Sequence, residues 1–256
     1  MRTLDWKGRE AFSEVRVPED WPVVVRVDGW NFRSLSEDLG LRRPYDERLI
    51  QAMVSAGRTV MKSGLPILIA YTFSDEISYV LPPPLPFSGR VEKLVTLTAS
   101  LTASRVALEL AQRFSRPAQV AFDGRIVLLK SLSEVPSYLS WRQSEAWRNL
   151  VNSYALWALE SVEGLSRSEA ARRLRGMRAR ELHEISFRLL GVNPARTPGW
   201  QRRGVLLYWR REKRVGANPL TGERVETVRR VLTEDWEPPL FSSPEGRGFL
   251  REVLGL

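Results

Sequence analysis

The chain has 256 residues, 43% of them hydrophobic, which is enough to bury a sizeable core in one large domain or two small ones. It contains no cysteine and one histidine, His183, which excludes disulfides, thiolate metal sites and zinc sites built on histidine pairs. The net charge of +9 is concentrated: Leu165 to Arg214 carries 14 basic residues against 4 acidic ones, the footprint of a polyanion partner or, more plainly, a solvated helical face.

The first residues, Met1 to Lys7, lack an apolar signal core, and no uninterrupted apolar run approaches the roughly 20 residues that span a bilayer. The expectation is an intracellular, cytoplasmic chain with no membrane partner. Val23–Val27 is a short β-branched run that ends at Asp28-Gly29. From Tyr45 to Lys62, Leu49, Met53, Ala56 and Val60 recur at helical spacing, with Asp46 near the start. Pro66–Tyr71 and Ile77–Leu81 read as a hairpin with Ser74-Asp75-Glu76 at its tip, and the proline run from Pro82 to Pro86 must be a loop. A helix from about Arg90 to Phe114 follows, then a strand pair near Gln119–Phe122 and Ile126–Lys130. Strand, helix, hairpin, helix, strand is the order of a ferredoxin-like βαββαβ unit, hence an α+β fold with an antiparallel sheet. Beyond Lys130 the pattern turns mainly helical, through Val135–Glu160 and Arg167–Leu190, with a last strand at Gly204–Trp209 and a tail helix near Glu245–Leu254. A boundary is expected near Ser131.

Both acidic motifs sit where a strand runs out. Taken singly, Asp-Gly after a strand is a turn, and Asp75-Glu76 is a polar hairpin tip. The ferredoxin-like order places the end of the first strand beside that tip, and carboxylates gathered there repel unless a cation binds. Two cations about 3.5–4 Å apart clamp the attacking and leaving oxygens of a phosphoryl displacement. Oxygen donors favour magnesium, with manganese able to substitute. Arg26, Arg33, Arg42, Arg43, Arg90 and Lys93 flank the motifs and supply positive partners for a triphosphate, while Asn31-Phe32-Arg33 can present backbone amides. Further on, Asn149 and Asn152 share a helix face and fit either a nucleic-acid contact or internal hydrogen bonds. Trp200 and Trp209 fit packing better than base stacking, and His183 reads as structural or surface.

In chain order, Arg26-Val27-Asp28-Gly29-Trp30-Asn31-Phe32, Arg43-Pro44-Tyr45-Asp46, Tyr71-Thr72-Phe73-Ser74-Asp75-Glu76-Ile77-Ser78, Phe122-Asp123-Gly124-Arg125, Tyr138-Leu139-Ser140-Trp141-Arg142-Gln143 and Arg203-Gly204-Val205-Leu206-Leu207-Tyr208-Trp209 resemble the tRNA-His guanylyltransferase superfamily. Trp200-Gln201-Arg202-Arg203-Gly204 and Asn218-Pro219-Leu220-Thr221-Gly222-Glu223 resemble its bacterial and archaeal like-protein branch. The resemblance implies a polymerase-type palm over residues 1–130 and a mainly helical, basic RNA-binding region over 131–256 packed on it. It implies nucleotide addition in the 3′–5′ direction to the 5′ end of a tRNA, after 5′-adenylylation, with ATP, GTP and other nucleoside triphosphates as substrates, two Mg2+ ions and a homotetramer.

Residue by residue, the resemblance gives Asp28, Asp75 and the Gly29 carbonyl the metal ions and makes Glu76 a further ligand or neighbouring acid. Ser74, Asn31, Phe32, Arg33, Arg90 and Lys93 hold phosphates, Arg26 and Arg43 serve activation, and Asp46 is a nucleotide or activation-site contact. RNA is expected on Arg142, Arg148, Asn149, Asn152, Arg202 and Arg203. Two positions depart from the family pattern, Arg33 and Trp147, where histidine is common. The alternatives are a cyclic-nucleotide-forming palm, which has no use for the basic segment, and a catalytically silent RNA-binding module, for which clustered acids are a cost.

Overall fold

Val23–Trp30 forms β1, whose first half is a run of valines with no side chain able to compete for backbone hydrogen bonds. A computed structural model describes residues 6–217 and 224–256. After β1 come α1 (Phe32–Leu39), α2 (Glu47–Met61), the hairpin β2 (Ile69–Phe73) and β3 (Glu76–Leu81), α3 (Val91–Phe114) and β4 (Ala121–Leu128). The rest comprises α4 (Val135–Val162), α5 (Arg167–Leu174), α6 (Ala179–Leu190), α7 (Gly199–Arg203), β5 (Val205–Ala217), β6 (Arg224–Asp235) and α8 (Pro244–Leu254). The six strands make one sheet in the order β4-β1-β3-β2-β5-β6, and every pairing is antiparallel. The first four strands are the expected ferredoxin-like unit.

Strand periodicity divides the sheet into two faces. On one, Val23, Val25, Val27, Ile77, Tyr79 and Leu81 pack with Met53, Val60, Leu94, Val106 and Leu110 of α2 and α3. On the other, Val24, Ile69, Tyr71, Phe73 and Val80 pack with Tyr138 and Leu139 of α4 and Leu250 of α8. The far half of α4 carries a third core with α5 and α6, through Val151, Ala155, Leu159, Ala170, Leu174, Leu182 and Ile185. By length and composition α3 could span a bilayer; its stripe of Leu94, Thr98, Thr102, Val106 and Leu110 is buried.

Four sequence expectations need correction. The strand pair at 119–130 is one continuous strand, because Asp123 and Gly124 stay in register with Asp28 and Val27 rather than turning. Gly124 is there for space: a Cβ would lie 2.8 Å from a Val95 methyl of α3. The helix expected over Arg167–Leu190 is two, separated at Gly176, which has φ +79°. The strand at Gly204–Trp209 runs on to Ala217 and is followed by β6, so the later half is not simply helical. Its hairpin pairs with β2 and continues the sheet across Ser131. Finally α1 is new: eight residues with one turn of polar side chains gave too little periodicity to read. Asn218–Glu223 and Met1–Asp5 lie outside the described residues.

Candidate active site

β1 and the β2–β3 hairpin end at the same place. The Gly29 amide donates to the Asp75 carbonyl at 3.0 Å, and Asp28 is the register partner of Glu76 on β3 and of Asp123 on β4. Directly opposed residues of antiparallel strands share a face, so Asp123, Asp28 and Glu76 form an acidic row across three strands. The turn that lets this happen depends on Gly29, since a Cβ there would fall 2.3 Å from the Phe32 ring. Phe32 in turn sits edge-on to Phe122 of β4, with ring centroids 5.2 Å apart, and pins the start of α1 over the sheet. Asn31 and Ser74 both adopt left-handed backbone conformations, φ 56° and 52°, at the two facing tips.

Asp75 is half-buried and accepts from the Ser74 hydroxyl at 2.8 Å. Burial raises its carboxyl from the ordinary value, the Asp28 charge adds to this, and the Ser74 hydrogen bond works against it. Asp28 and Asp75 therefore repel at the strand ends, while Arg125 of β4, paired with Asp123 at 2.7 Å, also interacts with the Asp28 charge. Among the described residues no three acids or histidines are grouped as a ready-made ligand set.

Glu76, expected as a further ligand or a neighbouring acid, is held by Arg142, which was expected on RNA. The two form a buried bidentate pair, with Arg142 Nε 2.9 Å and Nη2 2.6 Å from the Glu76 carboxylate, beneath the exposed surface of α4. Arg26 lies 3.8 Å from the same carboxylate and faces the Trp141 ring at 5.7 Å, as Arg142 does at 4.5 Å. Burial pulls the Glu76 carboxyl up from its ordinary value, and Arg142, then Arg26, oppose that. The Arg26 Nε has no hydrogen-bond partner. This knot ties α4 to the strand ends behind Asp28.

Beside the hairpin tip opens a cleft of about 560 Å³. Its walls are Phe32, Arg33, Ser36 and Glu37 of α1, the loop from Gly40 to Asp46, Leu49 and Ile50 of α2, and Ser74-Asp75. The opposite wall is a stripe of α4, Asn149, Asn152, Ser153, Leu156, Trp157 and Glu160, with Arg167 at the start of α5 and Trp200 of α7. Of the expected site residues, the cleft thus gathers Phe32, Arg33, Arg43, Asp46, Ser74, Asp75, Asn149 and Asn152. Arg33 pairs with Glu37 at 3.2 Å and Arg43 with Glu160 at 2.7 Å.

Asp46 has a local task that composition did not reveal. It caps α2, accepting from the Arg48 amide at 2.9 Å, the Arg42 amide at 2.9 Å and the Arg48 guanidinium at 2.6 Å. Burial opposes its ionisation, but these donors win and hold the carboxyl at about 2. Both oxygens are occupied, so Asp46 shapes the cleft loop rather than offering a free acceptor.

The other expected contacts are scattered. Arg90 and Lys93 stand at the start of α3, outside the cleft lining, with Arg90 3.9 Å from Glu92. Arg148 is exposed and pairs with Glu145 at 2.7 Å. Arg202 donates to the Thr197 carbonyl at 2.8 Å and Arg203 to the Pro238 carbonyl at 3.1 Å, so both fasten α7 to neighbouring loops. Gln143 is buried and bridges to the Pro239 carbonyl and the Phe241 amide. Trp209 donates to the Ile67 carbonyl and His183 contacts Asn193 at 3.0 Å, both structural as expected. Cleft residues missed include Ser36, Glu37, Ser153, Leu156, Trp157, Glu160 and Arg167. Most of them were signalled by the i, i+3, i+4 stripe from Asn149 to Glu160.

The family model described as tRNAHis guanylyltransferase matches residues 6–130, and that of the Thg1 C terminal domain matches residues 133–235. A probable tRNA(His) guanylyltransferase of Mus musculus is 35% identical over 203 residues, covering 78% of this chain and 68% of the relative. One of Drosophila melanogaster is 33% identical over 198 residues, covering 76% and 69%. Among solved structures, the tRNA(His) guanylyltransferase of Saccharomyces cerevisiae superimposes with a TM-score of 0.69 at 28% identity, covering 80% of this chain and 93% of that one. A bacterial Thg1-like protein in complex with ATP shares the fold with a TM-score of 0.76 at 21% identity, covering 98% of each chain. With residues 6–130 and 133–235 matched by its two family models and relatives above 30% identity, the chain belongs to the tRNA(His) guanylyltransferase family.

Proposed function

We propose that this chain is a metal-dependent nucleotidyltransferase that adds nucleotides in the 3′–5′ direction to the 5′ end of a tRNA, with ATP and GTP among its substrates. The observation that carries the reading is the 3.0 Å hydrogen bond from the Gly29 amide to the Asp75 carbonyl, which brings the strand ends bearing Asp28 and Asp75 together beside a cleft lined with arginines. Curated relatives are named tRNA(His) guanylyltransferases, and like-fold structures hold ATP in one case and GTP in another.

The donor set fits magnesium or manganese. Two mutually repelling carboxylates and a carbonyl, with no third acid free, suit an ion that is held by one or two carboxylates and completed by substrate phosphates. Asp28, Asp75 and the Gly29 carbonyl would hold it. When bound, the metal supplies charge neutralisation for phosphoryl transfer.

The chain's own groups do the remaining work. The first turn of α1 has no acidic residue and directs its free amides toward the strand ends, where a phosphate is stabilised. Arg33 and Arg43 exchange their glutamate partners for phosphate oxygens, a swap between contacts of similar charge. Asn149 and Asn152 offer donors and acceptors to a base or ribose on the facing wall. The Glu76–Arg142 pair keeps α4 at a fixed distance from Asp28. The reading includes a homotetramer, supported by the exposure of Leu97 and Leu108 on α3 and Leu128 on the edge strand β4, and light scattering tests it.

The test of the activity is a 5′-truncated, 5′-labelled tRNA incubated with ATP, all four nucleoside triphosphates and magnesium. Extension at the 5′ end, lost on chelation and in Asp28→Ala, supports the proposal. No extension under any nucleotide mixture overturns it.

A further inference from the structure

The C-terminal region contributes an arginine to the cleft that neither the motifs nor the family resemblance singled out. Arg167 is the first residue of α5, and it lines the same cleft as Arg33 and Arg43, which come from the palm. Three features of its placement are unfavourable for a residue with no ligand. It is only partly exposed, so its charge is partly desolvated. It sits at the positive end of a helix, where Ser166 and Glu169 make the capping box and a cation is repelled. It faces Arg33 and Arg43, and no hydrogen bond or ion pair to it is found among the described residues, whereas those two arginines each hold a glutamate. Burial first, and then the repulsion of Arg33 and Arg43, lower its proton affinity from the ordinary value, with Glu160 and Glu37 offsetting only part of this.

We infer that Arg167, with Arg33 and Arg43, forms a three-arginine phosphate clamp on the cleft that Asp75 also lines, with α5 contributing the third arginine from the helical region. The inference rests on the nucleotidyltransfer reading and deepens it by naming an additional ligand-binding residue. A phosphate group with two or three free oxygens accepts several guanidinium donors at once, which a carboxylate of the chain cannot match. An anion held among the three guanidinium groups offsets their mutual repulsion, and the helix N-terminus that disfavours a lone cation favours the anion. The shared chemistry is a terminal phosphate, carried either by the triphosphate of a nucleotide or by the 5′ end of the RNA.

Both sources are separable by titration of the full chain, followed by the fluorescence of Trp157 and Trp200 in the cleft wall. The probes are inorganic tripolyphosphate, ATP, and a tRNA bearing either a 5′-phosphate or a 5′-hydroxyl. The variants are Arg167→Ala, Arg167→Lys and, as a control on the outer face of the same helix, Arg172→Ala. Loss of one charge-assisted contact is expected to weaken the bound probe by about tenfold or more in Arg167→Ala. Arg167→Lys should recover part of that loss, and Arg172→Ala should match wild type. Weakened tripolyphosphate and ATP binding with unchanged RNA binding assigns the clamp to the nucleotide. Loss of the preference for 5′-phosphorylated over 5′-hydroxyl RNA, with ATP binding unchanged, assigns it to the RNA end. If wild type binds these probes and extends tRNA while Arg167→Ala is indistinguishable from it, the clamp is wrong and the activity stands. If wild type neither binds nor extends, both fall together.

Discussion

The Gly29 amide donates to the Asp75 carbonyl, and this one backbone bond brings together two carboxylates 47 positions apart in the chain. It holds two half-buried carboxylates at the same strand ends, where the Asp28 charge adds to burial in raising the Asp75 carboxyl. Such strain is stored at a site because something else relieves it. Asp75→Asn removes one of the repelling charges while keeping the side-chain shape. The metal-free variant should unfold at a temperature equal to or above that of wild type, whereas 5′-end extension falls by at least about 100-fold, the scale expected for losing a group that acts on the transition state. Calorimetry without and with magnesium checks both halves: wild type should gain stability from the ion and the variant should gain little. A variant that melts well below wild type would show that Asp75 is there to hold the hairpin.

Glu76 and Arg142 show the opposite design, a pair of charges buried and matched. Replacing Arg142 by Met leaves Glu76 buried with only Arg26 at 3.8 Å, and the expected loss is about 3–5 kcal/mol. Glu76→Gln combined with Arg142→Met removes both charges and should recover much of that loss. A chemical-denaturation cycle over the four proteins measures the coupling. Near-additive effects would mean that the pair contributes nothing beyond its packing.

These two motifs mark what was legible in the sequence. Asp28-Gly29 and Ser74-Asp75 could be read because each ends an apolar run, and strand ends in a ferredoxin-like order meet at one place. Glu76 sits next to Asp75 and was grouped with it, but Asp75 lies in the turn whereas Glu76 is the first residue of β3, where Arg142 of α4 takes its carboxylate. Arg142 carries no local mark of burial, since a long guanidinium on a helix reads as surface until its partner is seen. The cleft wall formed by α4 was half legible, at Asn149 and Asn152. Arg167 was hidden within a run of arginines whose individual directions depend on the break at Gly176 and on how α5 folds back on α4.

Asp46 links the cleft to acid stability. Its carboxyl is held at about 2 by the Arg48 and Arg42 donors, below the roughly 3.9 of an unfolded aspartate. A group whose folded value is depressed contributes stability that is complete above the unfolded value and is lost as pH falls through the folded one. Unfolding free energy should therefore drop between about pH 4 and pH 2, and Asp46→Asn should flatten that part of the curve. At neutral pH, Asp46→Ala should cost about 1 kcal/mol through the lost helix cap. Its effect on nucleotide binding should be secondary, appearing as a raised KM with kcat nearly kept, because the carboxylate has no oxygen free for a substrate. A collapse of kcat with unchanged stability would instead make it a direct contact.

Glu160 holds Arg43, the arginine proposed to take a phosphate. Its side chain is 15% exposed and lies 2.7 Å from the guanidinium, so any phosphate that takes Arg43 must displace a partly desolvated carboxylate. Glu160→Gln keeps the shape of the wall and removes the competitor, and it also raises the positive potential shared by Arg33, Arg43 and Arg167. Tripolyphosphate should bind several-fold more tightly at low salt, with the advantage shrinking as ionic strength rises and the Debye length falls from about 10 Å at 0.1 M to about 3 Å at 1 M. Tighter ground-state binding need not speed the reaction: if the Arg43–Glu160 exchange helps release the product, kcat in Glu160→Gln should fall while KM falls with it. Equal affinities in the two proteins across the salt series would mean that Arg43 stays with Glu160 throughout the cycle and that the anion is held by other groups.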